Sequence, residues 1–277
     1  MSPGLRCCVL VCLLLLGNVT SARETLSFAP LPMETPERVL GQWKPLLDYL
    51  ASQLGVEIRI DYTDSYAEIL ERFQTGALDL AYLGPLPYAA LKADFAAATP
   101  VALFKDSRDQ AHYTCALVAL EERRLQLAQL QGKRLALTQP LSTCGYLASA
   151  DLLRQAGSSL EKNQYRYLGK HDQVAIAVAR GDYDAGGLKT SIARKYIHLG
   201  LQVLGESRPL PAFGLIANGA RLSPERIDQI RQALLAADAG VRAGWGESLG
   251  QGVLPASDAD YAEIRRLRAG AVIPQQG

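Results

Sequence analysis

Apolar positions along the chain recur with two periods that take turns from residue 25 onward. Thr25-Leu26-Ser27-Phe28-Ala29 alternates as a strand, and Thr35-Pro36-Glu37 then opens a helix, with Thr as N-cap and Pro in the first turn. Leu40, Trp43, Leu47, Leu50 and Leu54 follow at helical spacing and Gly55 ends the run, with Pro45 an expected kink inside it. Residues 56–60 alternate again, 66–73 form a short amphipathic helix closed by Gly76, and 78–82 read as a strand running into Gly84-Pro85. The pattern then predicts helices over 86–93, 144–155, 172–180 and 191–198, and strands over 100–104, 113–120, 134–138, 183–186, 201–204 and 213–217. From Ser223-Pro224-Glu225 onward it reads as helices.

Strands that alternate with helices argue an α/β fold with mainly parallel sheets. The 277 residues suggest two domains at about 150 residues each. No repeat, low-complexity tract or Pro/Gly/Ser linker separates them, so crossing strands rather than a tether are expected to join the two. Ligands of such sheets bind beyond the carboxyl ends of strands, which directs attention to the loops between a strand and the next helix.

The N-terminus has another pattern. Arg6 precedes an apolar run from Cys7 to Leu16, and Thr20-Ser21-Ala22 ends in small residues. This is the form of a secretory leader over 1–22. The run is about half the ~20 residues of a spanning helix, so a retained anchor is the weaker alternative. The mature chain is expected to be soluble and periplasmic. Cleavage removes Cys7, Cys8 and Cys12 and leaves Cys115 and Cys144. In an oxidising compartment such a pair forms a disulfide, or stays as two free thiols that meet a ligand or, with His171, a soft metal. His112, His171 and His198 have no zinc-motif spacing, and no cofactor or metal is expected. Hydrophobic residues at 48% and charged residues at 21% describe a globular chain and exclude a disordered one. Lys+Arg 29 against Asp+Glu 28 leaves no basic excess for a nucleic-acid backbone.

The most informative loop is Gln139-Pro140-Leu141-Ser142-Thr143-Cys144-Gly145-Tyr146, between a strand and a helix. Its hydroxyls and the free N–H groups of a helix start suit an anion, and Gly145 admits close backbone approach. The plain alternative is an N-cap. Cys144 at a helix start is also a candidate thiolate with His171 as base, the basis of a thiol-enzyme or redox alternative. Tyr66, Tyr82 and Tyr113 stand at element ends, where a tyrosine lines a cleft or packs in a core. Asp184 reads as structural, and Lys189 as a helix-start charge.

These pieces, in this order, resemble the periplasmic phosphate/phosphite/phosphonate-binding proteins of ABC importers nearly end to end. The resemblance rests on Trp43-Lys44-Pro45-Leu46-Leu47, Asp64-Ser65-Tyr66-Ala67-Glu68-Ile69, the stretch Leu78 to Pro85, Ser142-Thr143-Cys144-Gly145-Tyr146, Gly181-Asp182-Tyr183-Asp184 and Ser207-Arg208-Pro209-Leu210-Pro211. It implies a class II solute-binding fold, the two-lobe periplasmic-binding-protein type II architecture, with two crossover hinge strands and a cleft between lobes. One lobe would take 23–110 and 206–277, the other 111–205. It implies a small phosphate- or phosphonate-like anion held at Ser142, Thr143, Cys144 and Gly145, flanked by Tyr66 and Tyr113 with His171 nearby. It places Ser191 and Phe213 where aminophosphonate binders carry carboxylates for the ligand ammonium, which argues against that ligand, and leaves Lys189 favouring a more anionic one. It also brings Cys115 and Cys144 close together. The implied protein is a non-enzymatic monomer that delivers its ligand to a membrane permease, or, as an alternative, to a membrane sensor kinase or cyclase.

Overall fold

The computed structural model describes residues 23–106, 109–246 and 249–269; the leader expected over 1–22 lies outside them. In chain order the first half runs β1 (Thr25–Ala29), α1 (Pro36–Leu54), β2 (Glu57–Ile60), α2 (Tyr66–Gln74), β3 (Leu80–Leu83), α3 (Pro85–Asp94), β4 (Ala98–Phe104), β5 (His112–Tyr113), β6 (Cys115–Leu120) and β7 (Arg134–Leu137). The second half runs α4 (Ser149–Gln155), β8 (Gln164–Tyr167), α5 (His171–Ala179), β9 (Ala185–Lys189), α6 (Thr190–Lys195), β10 (Leu201–Glu206), β11 (Leu210–Pro211), β12 (Gly214–Asn218), α7 (Pro224–Ala236), α8 (Ala239–Arg242), β13 (Val253–Pro255) and α9 (Ala262–Ala269).

The first lobe is built on a six-stranded sheet, order β13-β4-β12-β3-β1-β2, and the second on a five-stranded sheet, order β10-β6-β9-β7-β8. Between them β5 and β11 pair as a two-stranded antiparallel ribbon. These are the two crossover strands. The expected mainly parallel sheets are corrected here. Only β1 with β2 and β3, and β7 with β8 and β9, run parallel. A chain that crosses into a lobe and back returns in the opposite sense, so β12 lies antiparallel to β3 and β4, and β6 antiparallel to β9 and β10. The strand expected over 113–120 divides at Thr114 for the same reason, because β5 pairs with the ribbon and β6 with the second sheet.

Helix α1 packs the first lobe through Val39, Trp43, Leu46, Leu47 and Leu50. Gly55 ends it at φ 67°, a left-handed conformation that lets its N–H reach the Ala51 carbonyl. Trp43 touches Phe28, Tyr82 and Phe104 with ring centroids 4.6, 4.7 and 5.8 Å apart. Truncating so buried an aromatic costs about 3–5 kcal/mol. In the second lobe the predicted strand over 183–186 lies instead at β9, because Asp184 is held in a turn by the Arg134 amide and the Arg123 and Arg134 guanidinium groups.

Candidate functional site

A small pocket lies between the lobes, lined by Leu31, Tyr66, Gly84, Pro87, Ser142, Thr143, Cys144, His171 and Phe213. The centre of a water-sized sphere has ≈ 10 Å³ to occupy there, about the room one water needs. Four helix starts meet at this point. Tyr66 begins α2, Gly84 caps α3, Ser142 caps the turn Thr143–Ala148, and His171 begins α5. Each start carries partial positive charge.

The turn Thr143–Ala148 is π-helical, with the Leu147 amide reaching the Ser142 carbonyl at 3.2 Å beside that of Tyr146 at 3.1 Å. Such turns are frequent at functional sites. Ser142 Oγ accepts from the Gly145 amide at 3.0 Å and keeps its own proton to donate. Thr143 Oγ1 accepts from the Leu86 amide of α3 at 3.0 Å, a bond that crosses between lobes, and its hydroxyl also lies against the Tyr113 phenol. The amides of Thr143 and Cys144 find no acceptor among the described residues. Gly145 is needed for another reason than ligand approach: a Cβ there would stand 1.9 Å from Thr138 Oγ1 and 2.6 Å from the Thr138 amide. Gly84 similarly admits the Phe213 ring, 3.0 Å from where its Cβ would be.

His171 Nδ1 accepts the Lys189 amide at 3.1 Å, which assigns its proton to Nε2. Burial, with the Lys189 cation beside it, pushes the His171 pKa down to about 3. The imidazole is therefore a neutral donor at physiological pH. Burial also raises the phenols of Tyr66, Tyr82 and Tyr113, which stay protonated. The Tyr113 hydroxyl is buried, with the Thr143 hydroxyl beside it. Lys189 ends β9 with its ammonium 4.7 Å from the Phe213 ring centre and 5.3 Å from that of Tyr113. Desolvation pushes its pKa down to about 8 although part of the residue stays accessible, so it is cationic at neutral pH. Among the described residues no carboxylate lines the pocket.

The structure thus brings Tyr66, Ser142, Thr143, Cys144 and His171 together, with Tyr113 and Lys189 adjoining through Phe213. Tyr82 adjoins through Phe213 as well, whereas Ser191 lies apart. Tyr82 sits in the aromatic core against Trp43, Phe104 and Phe213. Ser191 is exposed on the first turn of α6. Cys115 and Cys144 are joined as a disulfide with Cα atoms 5.0 Å apart. That bond excludes the free-thiol and soft-metal alternatives in this state, and leaves His171 no thiolate to activate. Sequence reasoning passed over Gln139, although it lies in the loop singled out. Its Oε1 accepts the Tyr66 amide at 2.9 Å, and its Nε2 donates to the carbonyls of Asp64 at 2.8 Å and Gly169 at 3.2 Å. It ties the two lobes at the pocket mouth, beside the Lys170–Asp64 ion pair of 2.8 Å.

Known proteins agree with this geometry. A family model described as the periplasmic substrate-binding protein of a phosphonate ABC transporter matches residues 28–261. The phosphate-import protein PhnD of Mycolicibacterium smegmatis is 28% identical over 274 residues, covering 88% of this chain and 85% of its own. PhnD1 of Prochlorococcus marinus, solved with methylphosphonate, superposes with a TM-score of 0.80 at 18% identity, covering 89% of this chain and 98% of that one. A binding-protein component of an ABC phosphonate transporter from Pseudomonas aeruginosa superposes at 0.76 and 20% identity, over 89% and 86%. The last two likenesses establish the two-lobe fold. The match to the family model spans both sheets and the pocket between them, and the chain belongs to the periplasmic substrate-binding proteins of phosphonate ABC transporters.

Proposed function

We propose that the protein captures a small tetrahedral oxyanion, phosphate or a simple phosphonate, in the interlobe pocket and delivers it to the permease of an ABC importer. The observation that carries this is the donor set at the start of the turn Thr143–Ala148. Two free amides, the Ser142 and Thr143 hydroxyls and the neutral Nε2–H of His171 surround a pocket without a carboxylate. A site that only donates selects an anion that only accepts. Its relatives, a phosphate-import protein and a protein solved with methylphosphonate, support the same chemistry. The disulfide, the His171 bond to β9 and the short pocket favour binding over turnover. The proposed lobes are 23–110 with 206–277 and 111–205, a division supported by the two large sheets, with β10 of the second sheet reaching to Glu206 at the boundary.

Calorimetry with phosphate, methylphosphonate, sulfate and small carboxylates tests this. A phosphorus oxyanion is expected to bind tightest. The Ser142→Ala, Thr143→Ala double variant is expected to lose ~1–3 kcal/mol for each charge-assisted hydrogen bond removed. Unchanged affinity in the double variant would reject the assignment.

A further inference from the structure

We infer that Lys189 is the counter-charge of the bound anion, and that it makes this cleft reject phosphonates bearing an ammonium group in favour of ligands whose charge is purely negative. The inference rests on the oxyanion reading above and deepens it. Three observations lead to it. The Lys189 ammonium lies over the Phe213 ring, which lines the pocket, and over the Tyr113 ring. Its backbone amide is fixed by His171 Nδ1, which also lines the pocket, so the residue is positioned by the site itself. And among the described residues no carboxylate reaches the ammonium within ion-pair distance. Two acids, Glu34 and Asp106, act on it from beyond that distance, and Glu34 is bound to Arg38 at 2.8 Å.

A cation moved out of water needs compensation. The two ring faces provide part of it. A bound dianion provides the rest, and in turn gains a charge-assisted partner that the neutral donors at Ser142, Thr143 and His171 do not supply. An aminoalkylphosphonate would carry its ammonium into a cleft that holds a like charge and no carboxylate. Phe213 lines the pocket beside that cation, and Ser191, two residues after Lys189, is on the surface. Discrimination of this kind works by an unpaired charge raised against the wrong ligand.

The test is calorimetry on the full mature chain near neutral pH, with inorganic phosphate, methylphosphonate and 2-aminoethylphosphonate as probes. The wild type is expected to favour phosphate and methylphosphonate over 2-aminoethylphosphonate by at least about tenfold. Lys189→Met keeps the apolar stem and is expected to weaken phosphate binding by roughly ten- to hundredfold. Lys189→Arg is expected to restore most of that binding, and Lys189→Glu to shift the preference toward 2-aminoethylphosphonate. Melting curves without ligand separate folding from binding. A Lys189→Met protein that melts lower but binds phosphate as the wild type does would make Lys189 a structural staple and overturn the inference. So would a wild type that binds 2-aminoethylphosphonate as tightly as methylphosphonate. Binding of none of the three by the wild type would reject the oxyanion reading itself, a result distinct from the first two.

Discussion

His171 is neutral because burial opposes its charge, and that couples folding to pH. Its folded pKa is pushed down to about 3 from an ordinary value near 6.5. Between those values the unfolded chain binds a proton that the folded chain refuses. Its contribution to stability is therefore complete above about pH 6.5 and is lost as pH falls toward about 3, by up to about 5 kcal/mol. His171→Asn retains an acceptor for the Lys189 amide but cannot titrate. Denaturant unfolding of both proteins between neutral pH and pH 4 is expected to show the wild type losing more stability than the variant. Parallel curves would mean that His171 is not held neutral. The placement of Ser142 and Thr143 at a helix start was legible in the sequence because hydroxyls before a helix have few roles. For Ser191 and Tyr82 the sequence order does not say which face of α6 or of β3 turns toward the pocket: Ser191 is exposed, and Tyr82 stacks behind Phe213. Gln139 carried no signal beyond its place in the loop, since a glutamine that bridges two backbones looks like any surface glutamine until both partners are positioned.

At the scale of elements, the turn Thr143–Ala148 is held from three sides. Thr138 crowds Gly145, Ser149 Oγ donates to the Cys144 carbonyl at 2.8 Å, and the disulfide ties Cys144 to the first residue of β6. Cys115 faces Lys189 across the β6–β9 ladder, so the same bond links the turn Thr143–Ala148 to the strand that ends at Lys189. The closed loop of sequence separation 29 stabilises the fold by roughly 3–4 kcal/mol in the chain-entropy model. The Cys115→Ser, Cys144→Ser double variant is expected to lose about that much in denaturant unfolding, and to bind its anion more weakly because the donors are less fixed. Titration of the denatured, unreduced wild type is expected to find no free thiol from this pair, and two such thiols would reject the bond. Hydrophobic periodicity marked nearly every element of both sheets, and it placed β1 and α1 where they lie. It could not give strand direction, because a buried strand reads the same either way. It also passed over β8 and β13, which are short and half exposed and so lack an apolar run. The π-helical turn was read as plain helix, since the spacing of apolar residues barely changes over six residues.

At the scale of the molecule the lobes are closed on each other. The Leu86 amide reaches Thr143, the Tyr66 amide reaches Gln139, the His171 amide reaches the Met33 carbonyl at 2.9 Å, and Lys170 pairs with Asp64. The pocket they enclose has room for about one water, so no anion reaches it unless the lobes part. The place for that motion is the ribbon of β5 and β11, where only two backbone segments pair and the two large sheets share no strand. Hinges of this kind absorb a rotation in a few residues while each lobe stays rigid. The contacts across the cleft are few and polar, so they hold the closed form weakly by themselves, and a bound anion that accepts from both lobes adds to them. Ligand binding is therefore expected to shift an open form to a closed one. The radius of gyration from small-angle scattering is expected to fall when saturating phosphate or methylphosphonate is added to the mature protein. Asp64→Asn removes one interlobe ion pair while leaving every donor of the pocket in place, and is expected to leave the unliganded protein more open and the affinity lower. Equal radii with and without ligand in the wild type would mean that the cleft does not move on binding, and that the ligand enters by a route other than the hinge.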